Sequence, residues 1–383
     1  MPIYRENENL MKKILMVYVE PTPYIVRLVE ELILIFNGKI DVIFLEENLS
    51  QNWNIDLNRQ WMLFPKSKLR RAYCIVQLLL NNKYDMIHLA GWGEFTSLLL
   101  IFFSKLFSIP IAIESDTPMP YETMLWKRVV KRLIYPRLFS LVNLFLPGGT
   151  RQAKYIEYYD VNPKYIVPVQ MTVDVTSIKR YAATLMPEDR QKIRERYSIA
   201  DNDIVFLFIG RLVKHKGISD LITVFNQIRH PNVKLLIAGD GPMCQQIEES
   251  VRLNKQIRYA GRVSGNDVIK VYHAVDVMIL PSYTEPWGLV VNEAMALGLP
   301  VIVSDRVGCI DDLIIHKKTG IIVKTGDITA LQNAVEELMI ASDKRANMSN
   351  HALKIIETWT LENEAKKICQ AWGKLISIDY GAR

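Results

Sequence analysis

Short apolar runs with little polar alternation recur along this chain of 383 residues. In the first half they fall at Ile14–Val19, Ile40–Leu45, Met86–Leu89, Ile111–Ile113, Leu144–Leu146 and Ile166–Pro168. In the second they fall at Ile204–Ile209, Val233–Ala238, Ile257–Ala260, Val277–Leu280, Val301–Ser304 and Ile321–Val323. Helical stretches separate most of them. A strand that is apolar on both faces belongs to a parallel sheet covered by helices on each side. Each half therefore predicts a doubly wound α/β domain. The expected division is residues 1–170, residues 171–359, and a C-terminal helix within 360–383 that packs back on the first domain. The hinge is expected near Val169–Lys179, followed by a charged helical connection at Glu188–Arg196.

The length supports that division, because a single core rarely grows past about 250–300 residues. The composition, 49% apolar and 23% charged, is that of a globular chain. Four scattered cysteines with no C-x-x-C pair argue for a reducing, cytoplasmic setting and against a disulfide framework or zinc site. Residues 1–11 are polar, and the apolar run after them is short and lacks a cleavage site, so it reads as a first strand and not a signal peptide. The longest apolar run, Phe95–Phe107, is interrupted by Lys105 and falls short of the ~20 residues that span a bilayer.

Charge changes the picture locally. The net charge is only +6, but Lys66–Lys154 holds thirteen Lys/Arg against five Asp/Glu. Much of that excess lies in Trp126–Tyr135, where Lys127, Arg128, Lys131 and Arg132 alternate with apolar pairs. Two readings fit: a basic amphipathic face for an anionic membrane at the inner face of the cell membrane, or a core helix with solvated cations. No recognised motif supports a nucleic-acid partner.

Candidate chemistry clusters in the second half. Glu285-Pro-Trp-Gly-Leu-Val-Val-Asn-Glu293 follows a strand and opens a helix that stops at Gly298, with Pro300 beyond. The amides around Gly288 and Leu289 begin that helix and suit an anion. A carboxylate for sugar hydroxyls, a helix end for phosphate and a carboxylate for ribose would fit a nucleotide-sugar; a surface helix with two solvated acids is the competing reading. Gly210-Arg211 and Lys216-Gly217 follow the first strand of this half, where two cations could neutralise a diphosphate. A solvated loop is the alternative. Gly239-Asp-Gly-Pro242 reads as a tight βα connection beside the site, and Gly261-Arg262 as a weaker nucleobase contact. Asp201-Asn-Asp203 precedes a strand, at the wrong end of the sheet for a metal-nucleotide site, and reads as a turn.

In this order and spacing, Gly-Arg-Leu-Val-x-x-Lys-Gly, Gly-Asp-Gly-Pro and Glu-Pro-Trp-Gly-Leu-x-x-x-Glu-Ala-Met-Ala-x-Gly-Leu-Pro-Val resemble glycosyltransferase family 4. The match is dense over Ile204–Val323 and looser over Met11–Val169, helped there by Val173-Asp174 at the hinge. The resemblance implies the GT-B fold of two facing Rossmann-like domains and a retaining, metal-independent transfer with no cofactor. The expected partners are a nucleoside-diphosphate sugar and a glycan or lipid-linked glycan acceptor, in cell-surface polysaccharide assembly. It further implies that Glu285 contacts the donor sugar, Gly288 and Leu289 hold the pyrophosphate, Glu293 binds ribose, and Arg211 and Lys216 stabilise the leaving diphosphate. Two features depart from the family. The loop after the first strand reads Glu20-Pro-Thr-Pro-Tyr24 instead of a glycine pair, which removes N–H donors. Where many members carry a histidine near the sugar, this chain has Asp116, or Glu114, as the substitute. His88 and Trp92 are expected at the same crevice, with core packing an equal alternative for His88. A nucleotide-sugar hydrolase or epimerase, and a catalytically silent binding partner, are the rival functions.

Overall fold

The structure, a computed structural model, describes residues 11–47, 61–119 and 124–377. Residues 1–10 of the polar lead-in lie outside the described residues. The chain divides into two units: residues 1–171 with 361–383, and residues 172–360.

The first unit contains β1 (Lys12–Tyr18), α1 (Pro23–Ile35), β2 (Gly38–Phe44), β3 (Met62–Leu63), α2 (Lys68–Asn81) and β4 (Met86–Ala90). It continues with α3 (Phe95–Leu106), β5 (Ile111–Ser115), α4 (Leu125–Phe139), β6 (Leu144–Pro147) and α5 (Thr150–Glu157). The strand order is β3-β2-β1-β4-β5-β6, with parallel pairing throughout. Side chains of one strand feed two cores: Leu15 and Val17 join α2, α3 and α5 on one face, while Ile14, Met16 and Tyr18 join α1 on the other. Burial on both faces is why the run has no polar alternation.

The run Ile166–Pro168 is not a strand of this sheet. Only Ile166 bridges Phe145, although the Val167 and Val169 amides donate to β6. Pro168 has no amide to give. The sixth strand is instead the two-residue β3 at the far edge.

The second unit begins with α6 (Val175–Ala182), whose N-cap Asp174 accepts from the Ser177 amide at 2.9 Å, and α7 (Pro187–Arg196). There follow β7 (Ile204–Ile209), α8 (Ile218–Gln227), β8 (Val233–Ala238), α9 (Cys244–Leu253), β9 (Ile257–Gly261) and α10 (Asn266–His273). The remainder is β10 (Val277–Leu280), α11 (Leu289–Ala296), β11 (Val301–Ser304), α12 (Ile310–Leu313), β12 (Gly320–Val323), α13 (Ile328–Ile340) and α14 (Ser342–Ile356). Its order, β12-β11-β10-β7-β8-β9, repeats the topology of the first sheet. The order reverses between β7 and β10, and such a reversal opens a crevice beyond the strands' carboxyl ends.

The last helix, α15 (Leu361–Ile376), returns to the first unit. Leu361, Ala365, Ile368, Cys369, Trp372 and Ile376 form its buried face, at helical spacing, in the core shared with α1.

Candidate functional site

The switch point between β7 and β10 brings together two loops distant in sequence. After β7 the chain makes a short 3-10 turn, Lys214–Lys216, and enters α8 through Gly217 at φ +74. A Cβ at Gly217 would lie 2.3 Å from the Pro281 carbonyl oxygen, so only glycine permits this approach. The Tyr283 amide donates to the His215 carbonyl at 2.7 Å and ties the same two loops. Lys216 Nζ thereby reaches Glu285 Oε2 as a close ion pair, with the two side chains 14% and 10% exposed. Ser282 Oγ lies 3.4 Å from the same carboxylate oxygen. Arg211 is exposed on the adjacent loop and has no ion pair with the described residues. Burial and the charges of Lys216 and Arg211 hold the His215 imidazole below its ordinary range, so it is neutral at physiological pH and no added cation.

Neighbouring loops make a continuous rim. The Leu212 amide donates to the Asp240 carbonyl at 2.8 Å, and the Gly239 amide to the Gly261 carbonyl at 2.8 Å. A Cβ at Gly239 would sit 1.9 Å from the Gly210 oxygen. The Gly-Asp-Gly-Pro segment is thus a close-packed connection that backs the Arg211 loop. At Gly210 and Gly261 the space beside the α-carbon is open, and Arg262 beyond Gly261 is exposed.

Gly288, at φ +100, is the N-cap of α11, so the Leu289 amide stands at a helix start whose first N–H groups lack intrahelical acceptors. Trp287 anchors this entrance. Its Nε1 donates to Asn292 Oδ1 at 3.0 Å, Asn292 Nδ2 donates to Thr172 Oγ1 at 3.1 Å, and its ring stacks on Trp359 at 5.7 Å. The Gly308 and Cys309 amides donate to the Glu285 and Trp287 carbonyls, both at 3.0 Å, fixing the loop from its other side.

Glu293 is half-buried on α11, with one carboxylate oxygen held by α10. Buried Tyr272 donates its hydroxyl to Glu293 Oε2 at 2.8 Å. Burial raises the Glu293 carboxyl from its ordinary 4.5 to about 7, against the opposing pull of the Tyr272 hydrogen bond. Tyr272 carries no signal of its own in the sequence, because an aromatic on the apolar side of α10 looks like any core residue.

The first-unit expectations separate. His88 is fully buried and both ring nitrogens are engaged. Trp372 Nε1 donates to Nδ1 at 3.2 Å, which leaves Nε2 to carry the proton toward Glu114 Oε2 at 3.1 Å. Tyr18 donates to the same oxygen at 3.0 Å. His88 is therefore a core residue linking α15 to the sheet and does not line a crevice. Trp92 is also core, packed at 4.9 Å on Phe139 and 6.4 Å on Tyr155. Asp116 is exposed just beyond β5. Pro23 occupies the first turn of α1, where its missing amide is tolerated. Asp201-Asn-Asp203 forms the turn into β7: Asp203 accepts from the Ala200 amide at 2.8 Å and from Lys234 at 3.2 Å.

Lys127, Arg128, Lys131 and Arg132, four of the five cations of α4, do not share one solvated surface. Lys127 and Arg128 are exposed, but Lys131 Nζ lies 3.3 Å from Tyr155 Oη. Arg132 reaches the Tyr158 carbonyl and pairs with Asp160 at 3.1 Å.

Two parallel sheets of this topology, with cations, a carboxylate and a helix start at the second switch point, define a protein of the GT-B fold. Anabaena HepE, solved in complex with UDP, is similar with a TM-score of 0.78 at 16% identity, covering 95% of this chain and 100% of that one. Residues 189–355 match the family model of glycosyl transferases group 1. An uncharacterized glycosyltransferase of Methanocaldococcus jannaschii is 34% identical over 186 residues, 47% of each chain. The capsular polysaccharide biosynthesis glycosyltransferase CapM of Staphylococcus aureus is 34% identical over 176 residues, 44% of this chain and 46% of that protein. The chain spans about half the length of the curated relatives it matches.

Proposed function

We propose that this protein is a retaining glycosyltransferase that moves a sugar from a nucleoside-diphosphate sugar to a glycan or lipid-linked glycan. The observation that carries the reading is the Lys216–Glu285 pair at the β7/β10 switch point, beside Arg211 and the start of α11. Lys216 and Arg211 neutralise the diphosphate as the anomeric carbon–oxygen bond breaks, so the step needs no metal. The acceptor oxygen bonds to that carbon on the same face and passes its proton to the departing phosphate. Glu285 accepts hydrogen bonds from sugar hydroxyls, the Gly288 and Leu289 amides face the pyrophosphate, and Glu293 faces the ribose. The name of CapM supports an acceptor in capsule-like polysaccharide assembly. Such an acceptor places the enzyme in the cytoplasm at the inner face of the cell membrane.

Thermal-shift screening against UDP, GDP, ADP and their sugars identifies the donor, since ligand binding to the folded state raises its stability. Transfer to glycan acceptors is then measured with that donor. Lys216→Ala and Glu285→Ala should each lower turnover by about 100-fold or more while the fold is kept. Turnover like wild type in either purified variant refutes the assignment. Free sugar or an epimer formed without acceptor points to a hydrolase or epimerase, and nucleotide binding without transfer to a silent partner.

A further inference from the structure

Helix α4 is built inside out for a surface helix. Leu125, Trp126, Val129, Val130, Leu133 and Ile134 are each 42–79% exposed, and Phe139 is its one buried residue. At 100° per residue these six occupy one half of the helix, and Lys127, Arg128, Lys131 and Arg132 the other. The protein holds two members of the basic half, with Lys131 over the Tyr135 and Tyr155 rings at 5.6 and 6.0 Å and Arg132 bound to the turn after α5, while Lys127 and Arg128 are exposed. The apolar half is the one left to solvent, an arrangement that marks an interaction surface.

We propose that α4 docks on an anionic lipid bilayer, with its apolar half in the headgroup–acyl boundary and Lys127 and Arg128 at the lipid phosphates. Charge decides against a second copy as the occupant. Arg137 lies on the apolar half and the helix carries no Asp or Glu to meet it, so a second copy offers that half no charge partner, whereas anionic headgroups do. Geometry decides for an in-plane position, since fifteen residues make about 22 Å, too short to cross the hydrocarbon core. Among the described residues no helix is long and apolar enough to cross a membrane. Trp126 sits where an amphipathic ring is favoured at such a boundary, with the Lys127 ammonium 5.5 Å from its centroid. This surface deepens the reading of a membrane-linked acceptor and rests on it, but vesicle binding is measured with no sugar donor present.

The test is cosedimentation of the full chain with phosphatidylcholine vesicles, with and without phosphatidylglycerol. Wild type should bind the anionic vesicles preferentially and lose affinity at high salt. Lys127→Ala with Arg128→Ala should weaken binding by about fivefold per cation. Val129→Glu with Leu133→Glu should weaken it by about tenfold or more at both salt levels, because it places charge in the inserted half. All four positions are exposed, and Leu133→Glu alone serves as a milder second variant. Unchanged circular dichroism and unchanged thermal shift by the nucleoside diphosphate establish that each variant is folded. Wild type that binds neither vesicle, or a Val129→Glu/Leu133→Glu variant that binds like wild type, overturns the proposal. So does a dimer in sedimentation velocity that this variant dissolves. Failure of vesicle binding with nucleotide binding intact rejects the membrane surface alone and leaves the donor site standing.

Discussion

Glu293→Gln isolates the one acidic group of the proposed donor site whose proton affinity the fold raises. The carboxyl moves from 4.5 to about 7. At about 1.4 kcal/mol per unit, holding it ionised in the folded state costs about 3 kcal/mol. The sign follows from linkage: the folded state binds this proton more tightly than the unfolded state. Its contribution is therefore favourable at low pH and is lost as pH rises from about 4.5 through about 7. Glutamine keeps an oxygen for the Tyr272 hydroxyl and cannot ionise. Its amide donor adds a cost of about 1 kcal/mol if left unpaired, but that cost does not vary with pH. The readout is thus a slope and not an offset. Thermal unfolding between pH 5 and pH 8 should show wild type losing about 6–12 °C relative to Glu293→Gln, at about 2–4 °C per kcal/mol for a unit of this size. Nucleotide affinity of wild type should rise over the same interval, because an ionised carboxylate is the stronger acceptor for ribose hydroxyls. Parallel unfolding profiles for the two proteins would show that the carboxyl does not titrate near neutrality, and the argument from burial would fail.

Two further perturbations probe packing around the site and in the first unit. His88→Leu leaves the Trp372 indole N–H and the Glu114 carboxylate without their shared partner, at a cost of about 2–4 kcal/mol. Hydrogen exchange should quicken in α15, and unchanged protection there would show that the network does not hold the helix. Gly217→Ala forces a side chain into a left-handed position and against Pro281, so Lys216 should lose its place beside Glu285. Turnover should fall at least tenfold, whereas Gly93→Ala, with nothing within 4 Å of the added carbon, is the neutral control. Equal activity of the two variants would sink the packing argument.

The local pattern of the chain was enough to place most strands and the loops that follow β7 and β10. Unalternating runs mark strands buried on both faces, and Lys216, Glu285 and Gly288 follow such runs directly, so their side of the sheet is implied by chain direction alone. The C-terminal helix was legible too, from the spacing Leu361, Ala365, Ile368, Trp372. Other features were decided by partners far away in sequence. His88 and Trp372 meet across 284 positions, and no local pattern distinguishes a histidine that reaches an indole from one that faces solvent. Tyr272 meets Glu293 only because α10 and α11 bring them together, and its hydrogen bond opposes the rise that burial imposes. The run Ile166–Pro168 keeps only the Ile166 bridge to β6, although the Val167 and Val169 amides donate there, and nothing local in the run distinguishes it from a full strand. In α4 the sequence carried the amphipathic division itself. Only tertiary packing could decide which half turned outward, because a helix with two distinct faces can be docked by either one, and here Tyr135 of α4 and Tyr155 of α5 hold Lys131.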